Sequence, residues 1–218
     1  METLIETLLT LLIVAVPVIF AITVHEAAHG YVARHFGDLT AWQLGRVTLN
    51  PLRHIDPIGT VLVPALLWWS TGGAFLFGWA KPVPVNFSRL HDPKRDMLWV
   101  AAAGPFVNLL MALFWALVLK LALASSDQSL GLLLEAMAKG GITVNAMLML
   151  LNLLPIPPLD GGRIAVSLLP NHLAWKFAQV ERFGFVILLA LLFTHVLDKI
   201  LDPLLNGFLR LIKALFNI

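Results

Sequence analysis

Two histidines and a glutamate lie close together in an apolar stretch of the sequence. Residues 21–30 read AITVHEAAHG and place His25, Glu26 and His29 among apolar neighbours. On an α-helix, positions four apart share one face, so the two imidazoles would converge, with Glu26 about 100° round the helix from His25. Two neutral imidazoles can hold a zinc ion while an adjacent carboxylate takes a proton from an activated water. The pattern therefore predicts a metal site with Glu26 as general base.

The composition decides between this interpretation and a chance grouping of polar residues. The chain has 218 residues, of which 59% are hydrophobic and 13% charged, with a mean hydropathy of +0.84. An ordinary soluble domain carries about 25% charged residues, so these values indicate an integral membrane protein. Ionisable residues inside a membrane span are costly and usually serve a function. We therefore favour the functional interpretation over chance.

A second acidic residue follows a run of prolines late in the chain. Residues 152–162 read NLLPIPPLDGG, and the prolines must end the apolar helix before them. Unwound backbone at membrane depth is tolerated only beside protein or a watery cavity, into which Asp160 would project as an oxygen ligand. Together with His25 and His29 it would leave one tetrahedral position open for water. The alternative is that Asp160 caps the helix that begins near Arg163.

The fold class that the sequence predicts is an α-helical polytopic membrane protein, formed by a single domain over residues 1–218. The length allows about five to six transmembrane segments of about 20 residues. We expect the main apolar helices at residues 4–35, 97–124, 130–154 and 175–196. Between the first helix and the GPxxN helix we expect small insertions: a re-entrant segment or pair of short pieces at residues 57–77, and a β-like edge strand at residues 78–86.

Charge and cysteine content limit the partners and the metal chemistry. The pI near 9.2 reflects 15 Lys and Arg against 13 Asp and Glu, an excess that in membrane proteins usually lies in cytoplasmic loops and gives no case for a nucleic-acid partner. The acidic start and basic end of the first helix predict that the histidines lie towards the cytoplasmic side. Because the chain has no cysteine, any metal must use nitrogen and oxygen ligands.

The motifs HEAAH (25–29) and NLLPIPPLDGG (152–162) together resemble the site-2 protease family of intramembrane zinc metalloproteases. Further stretches resemble its short prokaryotic members, which lack PDZ or CBS domains: GRVTLNPLRHIDPIGT (45–60), FGWAKPVPVN (77–86) and AGPFVN (103–108). The resemblance implies an enzyme integral to the cell membrane of a prokaryote. It also implies that His25, His29 and Asp160 bind one Zn²⁺ per chain, that Glu26 activates the water, and that Asn152 and Asn108 assist catalysis or hold substrate.

The function expected on these grounds is hydrolysis of a peptide bond within or next to a transmembrane segment of a substrate protein in the lipid bilayer. A helical substrate must unwind first, and the stretch with Pro82, Val83 and Val85 could offer it an edge; the alternative is a plain surface hairpin. His54 is interpreted as a gate, a transient ligand or an ordinary loop residue, and Asn145 is assigned to packing or solvent. The sequence leaves open whether the protein forms a homo-oligomer.

Two other functional classes compete with the protease. Intramembrane His and Asp residues also mark ion pathways, so a divalent-metal transporter is one alternative, although it would place ligands along a path. A catalytically silent binding protein is the other. Glu26 beside a ligand argues against both.

Overall fold

The computed structural model of the chain describes residues 2–70, 72 and 78–218. Within these residues the structure is helical and has no β-strand. The α-helices described are, in chain order, α1 (Glu2–His35), α2 (Thr40–Gln43), α3 (Val63–Ser70), α4 (Pro93–Leu123), α5 (Gln128–Asn152), α6 (Asp160–Leu168), α7 (Asn171–Ala178), α8 (Glu181–Phe193) and α9 (Val196–Phe216). The prediction of an α-helical protein is confirmed.

Three of these helices are long and apolar enough to cross a bilayer. They are α1 over Ala15–His35, α4 and α5. A helix needs about 20 residues to span the hydrocarbon core, and each of these is longer. The pair α8 and α9, bent by 78° at a short break, would add a fourth span if it crosses as one unit. Counted by length and composition over the described residues, the spans number three or up to four, so the expected five to six crossings are not confirmed.

The spanning helices α1, α4 and α5 pack closely on one another. Small residues fill their contacts, which lets the backbones approach, as in other membrane helix pairs. The fully buried alanines in these helices include Ala21, Ala27, Ala33, Ala101, Ala112, Ala116, Ala138 and Ala146. This packing places the face of α1 that carries His25 and His29 against α4 and away from lipid.

The turn between α5 and α6 folds tightly because of its glycines. A Cβ on Gly161 would lie 2.3 Å from the carbonyl oxygens of Leu153 and Leu154, and one on Gly162 would lie 2.3 Å from the nitrogen of Pro157. Only glycine allows this approach, which brings the first turn of α6 back against the end of α5. Asp160 is thereby the first residue of α6.

Asp160 does not cap this helix with its side chain. The cap position is Leu159, and no side chain accepts a hydrogen bond from the first turn of α6. The capping alternative raised from the sequence therefore does not account for Asp160. Its carboxylate is buried and needs another partner.

Two insertions separate α1 from α4. A π-helical turn, Pro57–Leu62, leads into α3, and together they form one short apolar helix. The predicted re-entrant segment at 57–77 is described only to residue 70 and at residue 72, so its return lies outside the described residues. Residues 78–86 form neither helix nor strand, and the predicted edge strand is wrong.

Residues 78–86, here called the 78–86 segment, do not form a strand because loops and side chains bind their polar backbone groups. The guanidinium of Arg46 donates to the carbonyls of Lys81 and Pro82 at 2.7 and 3.3 Å. Pro82 and Pro84 have no N–H to offer a neighbouring strand. The segment is therefore held in place without a sheet.

Candidate metal centre

Three buried side chains from two distant parts of the chain meet at one point. The Nε2 atoms of His25 and His29 lie 3.1 Å apart, and Asp160 Oδ2 lies 3.2 and 3.3 Å from them. The two histidines are one turn apart on α1, whereas Asp160 begins α6. The structure thus brings together the three residues that the sequence predicts as metal ligands.

The spacing of these three atoms fits a tetrahedral metal ion. Zinc bound at about 2.0 Å from nitrogen and oxygen ligands holds them about 3.3 Å apart. Asp160 Oδ2 is buried and makes no well-directed hydrogen bond, although both imidazole nitrogens are close to it. The three atoms converge on a common centre, and a cation there would satisfy the orphaned oxygen of Asp160.

Hydrogen bonds on the far side of each imidazole ring fix its orientation. His25 Nδ1 donates to Oδ1 of Asn108 at 2.5 Å, and His29 Nδ1 donates to the carbonyl of Val100 at 2.7 Å. With a proton on each Nδ1, the lone pair of each Nε2 faces the centre. Such outer partners are the usual means of setting the tautomer of a ligating histidine.

Glu26 is held beside this centre by the 78–86 segment. The backbone N–H of Val83 donates to Glu26 Oε2 at 2.7 Å. The Val83 side chain is buried, and with Val47 it fills the space over Gly30, where a Cβ would lie 2.7 Å from Val47 Cγ2. The segment is therefore anchored on α1 one turn beyond the glutamate, and it occupies one of the two carboxylate oxygens.

A cavity of about 140 Å³ opens onto the three converging atoms. Besides His25, Glu26, His29 and Asp160, its lining consists of Pro82, Val83, Val85, Val100, Ala101, Asn152, Pro158, Leu159 and Arg163. The residues of the 78–86 segment predicted to meet substrate and the predicted Asn152 thus share one cavity with the metal centre. Arg163 was given no role from the sequence; its position one helical turn after Asp160 was the available signal.

Two predicted site residues lie outside this lining. Asn108 is completely buried behind His25, on the side of the ring away from the metal centre. His54 is also buried; its Nε2 lies 2.9 Å from the Thr48 carbonyl oxygen, and its own carbonyl accepts from the Lys81 N–H at 2.9 Å. Its suggested role as a gate or transient ligand stays a prediction.

Sequence reasoning missed the glycine at which α4 passes the centre. A Cβ on Gly104 would lie 2.5 Å from His29 Nε2 and 2.5 Å from Cε1 of His25. Any side chain there would collide with both imidazoles. The signal was the glycine inside the AGPFVN stretch of a spanning helix, where glycine is unfavourable unless a close approach requires it.

Comparison with known proteins places the chain in a family. The zinc metalloprotease YwhC of Bacillus subtilis, so described in its name, is 39% identical over 209 residues, which cover 93% of this chain and 91% of that protein. The chain belongs to peptidase family M50, the site-2 protease family. The model of peptidase family M50 itself matches residues 120–194, a stretch that contains Asn152 and Asp160.

More distant relatives align with most of the chain at lower sequence identity. Proteins named zinc metalloprotease Rip2 are 32% identical over 183 residues in Mycolicibacterium smegmatis, covering 83% of this chain and 66% of that protein, and 31% identical over 203 residues in Mycobacterium tuberculosis, covering 91% and 70%. No solved structure matches the chain. The match of the family model begins beyond HEAAH, whereas the relatives' alignments cover most of the chain.

Proposed function

We propose that this M50 peptidase hydrolyses a peptide bond within or next to a transmembrane segment of a membrane protein. In this proposal His25, His29 and Asp160 hold one zinc ion, and Glu26 acts as the general base. The observation that carries it is the triangle of three buried ligand atoms, 3.1 to 3.3 Å apart, with Glu26 in the same cavity. The names of the related proteins and the M50 family support zinc as the cofactor.

The residues around the centre divide the chemistry between them. Zinc, when bound, acidifies a water and polarises the scissile carbonyl. Glu26 takes the proton of the attacking water and passes it to the leaving nitrogen, as a general base and then acid. The Val83 N–H donates to Oε2 of this carboxylate and fixes its direction beside the centre.

The cavity wall assigns roles to other residues of the proposal. The amide of Asn152 lines the cavity; one of its N–H groups donates to the Leu148 carbonyl at 3.0 Å, and the other is suited to stabilise the oxyanion of the tetrahedral intermediate. Val85 belongs to the same wall on the 78–86 segment, beside which an unwound substrate would lie. Asn108 bonds to His25 but does not line the cavity itself, so we assign it to positioning His25 and not to contact with substrate.

The membrane setting of the proposal follows from α1. Arg34 and His35 form its basic last turn, which by the positive-inside rule places that end in the cytoplasm. His25 and His29 lie within about three turns of this end, so the active site opens towards the cytoplasmic side of a prokaryotic cell membrane. We infer that residues 1–218 act as one domain.

The proposal is tested by comparing cells that express the wild-type chain with cells that express Glu26→Gln. Both purified proteins should hold one zinc per chain, since Glu26 is not a ligand. Membrane-protein fragments cut within a hydrophobic segment should occur only with the wild type. Glu135→Gln is the matched control, because Glu135 also lies in a spanning helix but pairs with Lys139 at 2.6 Å, away from the centre.

Either of two results would contradict the proposal. Fragments that persist unchanged with Glu26→Gln would exclude this residue as the base. Equal metal content with no fragments from either protein, even with a substrate shortened outside the membrane, would favour a metal transporter or a silent binding protein.

A further inference from the structure

A continuous chain of hydrogen bonds links His25 to the middle of α5. Asn145 on α5 is completely buried and accepts, at its Oδ1, a hydrogen bond of 2.9 Å from Nδ2 of Asn108. Asn108 in turn accepts from His25 Nδ1. We propose that Asn145 is a positioning residue for the metal centre, which acts through Asn108 to set the tautomer and direction of the His25 imidazole.

The first step is that the chain of amides has a fixed starting point. Asn145 Nδ2 donates to the backbone carbonyl of Gly141 at 2.8 Å. A carbonyl can only accept, so the NH₂ group of Asn145 must face Gly141 and its oxygen must face Asn108. The orientation of the first amide is therefore set by the backbone of α5.

The second step transmits this orientation to Asn108. Because Asn145 presents an oxygen, Asn108 must present its NH₂ group, which also donates to the carbonyl of Ala21 at 3.3 Å. A rotated Asn108 amide would place its oxygen against these two oxygens in a site with no exposed surface. An unmade hydrogen bond at such a buried group costs about 1–3 kcal/mol. Asn108 Oδ1 is thus directed at His25.

The third step reaches the ligand. An oxygen 2.5 Å from His25 Nδ1 requires the proton on that nitrogen, which leaves Nε2 with a lone pair for the metal. Without Asn145, the long bond to Ala21 would be the one described hydrogen bond left to keep the Asn108 amide from turning its NH₂ group to the ring. The ring would then carry its proton on Nε2, where it blocks a metal.

The tautomer of His29 is set in a simpler way. Its Nδ1 donates directly to the carbonyl of Val100, so no side chain is needed to set its tautomer. Both ligating imidazoles thus depend on a backbone carbonyl, one directly and the other through two amides. Truncation of a single amide side chain, at position 108 or 145, can therefore disturb the orientation of His25, whereas the acceptor of His29 is a backbone carbonyl.

This inference rests on the proposed zinc site, and its test uses zinc affinity and not cleavage. The full-length chain, purified in detergent, is titrated with zinc against a chelator of known affinity. The proteins are the wild type, Asn145→Leu, Asn108→Asp and the double variant. Removal of an outer partner of a ligand typically lowers metal affinity about 10- to 100-fold, and we expect about 10-fold for Asn145→Leu.

The double variant separates orientation from plain packing. A carboxylate at position 108 offers an oxygen to His25 whichever way it turns, so Asn145→Leu should cause no further loss in the Asn108→Asp background. Thr143→Val is the control on the same helix, because its hydroxyl donates to the Lys139 carbonyl and takes no part in the bonds of Asn145 or Asn108; its zinc affinity should equal that of the wild type. Asn145→Ala removes the same acceptor without bulk and serves if the leucine variant does not fold.

The outcomes are distinct. An equal loss in both backgrounds would overturn the inference, because Asn145 would then contribute to packing alone. No loss in either background would overturn it as well. A wild-type chain that binds no zinc, or binds it equally after His25→Ala, would overturn the proposed metal site and this inference with it.

Discussion

Replacing Gly104 by alanine should disable the proposed metal centre while leaving the protein folded. The added Cβ would lie 2.5 Å from His29 Nε2, 2.5 Å from His25 Cε1 and 2.6 Å from His25 Nε2. Non-bonded carbon and nitrogen atoms approach to about 3.5 Å, so each contact is too short by about 1 Å.

Neither imidazole can turn aside without losing its function. Rotation would break the Nδ1 bonds to Asn108 and Val100 at 2.5 and 2.7 Å and would move Nε2 off the common centre. The remaining response is a retreat of α4 from α1 by about 1 Å. A displacement of that size at reacting groups can lower the rate about 10²-fold.

The expected loss of stability is small enough for the protein to fold. Overpacking costs about 1–3 kcal/mol, but alanine is favoured over glycine in a helix by about 1 kcal/mol. The Gly104→Ala protein should therefore fold, with cleavage reduced at least about 100-fold and zinc affinity reduced at least about 10-fold. Zinc affinity is measured by chelator competition and cleavage with a transmembrane peptide substrate.

Gly140→Ala is the matched control. Gly140 also lies in a spanning helix, but a Cβ there meets nothing within 4 Å, so this variant should bind zinc and cleave as the wild type does. A Gly104→Ala protein that matches the wild type in both assays would refute the close approach of α4 to the two imidazoles.

Two further predictions concern the third proposed ligand, Asp160, and the cavity wall. Asp160→Ala should lower the zinc content of the purified protein from one per chain to near zero, since two imidazoles alone hold zinc weakly; full zinc content by elemental analysis would remove Asp160 from the ligand set. Val83→Pro deletes the N–H that binds Glu26 and should slow cleavage at unchanged zinc content, whereas Val85→Pro, which deletes no N–H bonded to Glu26, should slow cleavage only if substrate pairs with the segment. Equal, wild-type rates for both variants would exclude a catalytic part for the 78–86 segment.

The local features of the site were predictable from the sequence because they depend on helix periodicity. Four-residue spacing places His25 and His29 on one face of α1, and prolines must end α5 before Asp160. We predicted that these three side chains would meet because a zinc site needs three protein ligands, and because the motifs resemble those of the site-2 protease family. Their role as ligands remains a proposal, but their convergence is present in the structure.

The remaining features depend on how the helices pack, which periodicity does not determine. The approach of Gly104 to the imidazoles and the burial of Asn145 both follow from the contact of α1, α4 and α5. Alternation of proline and valine in the 78–86 segment resembled a strand, but Arg46 and Glu26 take the hydrogen bonds that a neighbouring strand would need. The β-propensity of a segment does not predict whether side chains or a neighbouring strand will bind its backbone groups.

The separation of the three proposed ligands along the chain has a consequence for biosynthesis. His25 and His29 enter the membrane with the first helix, whereas Asp160 follows only after more than half of the sequence has been made. Until then α1 carries two imidazoles and Glu26 without the side chains that later surround them. With the proposed ligand set, a ribosome-bound chain that has not yet inserted α6 lacks one of three metal ligands, so the proposed proteolysis would begin only after Asp160 has been synthesised.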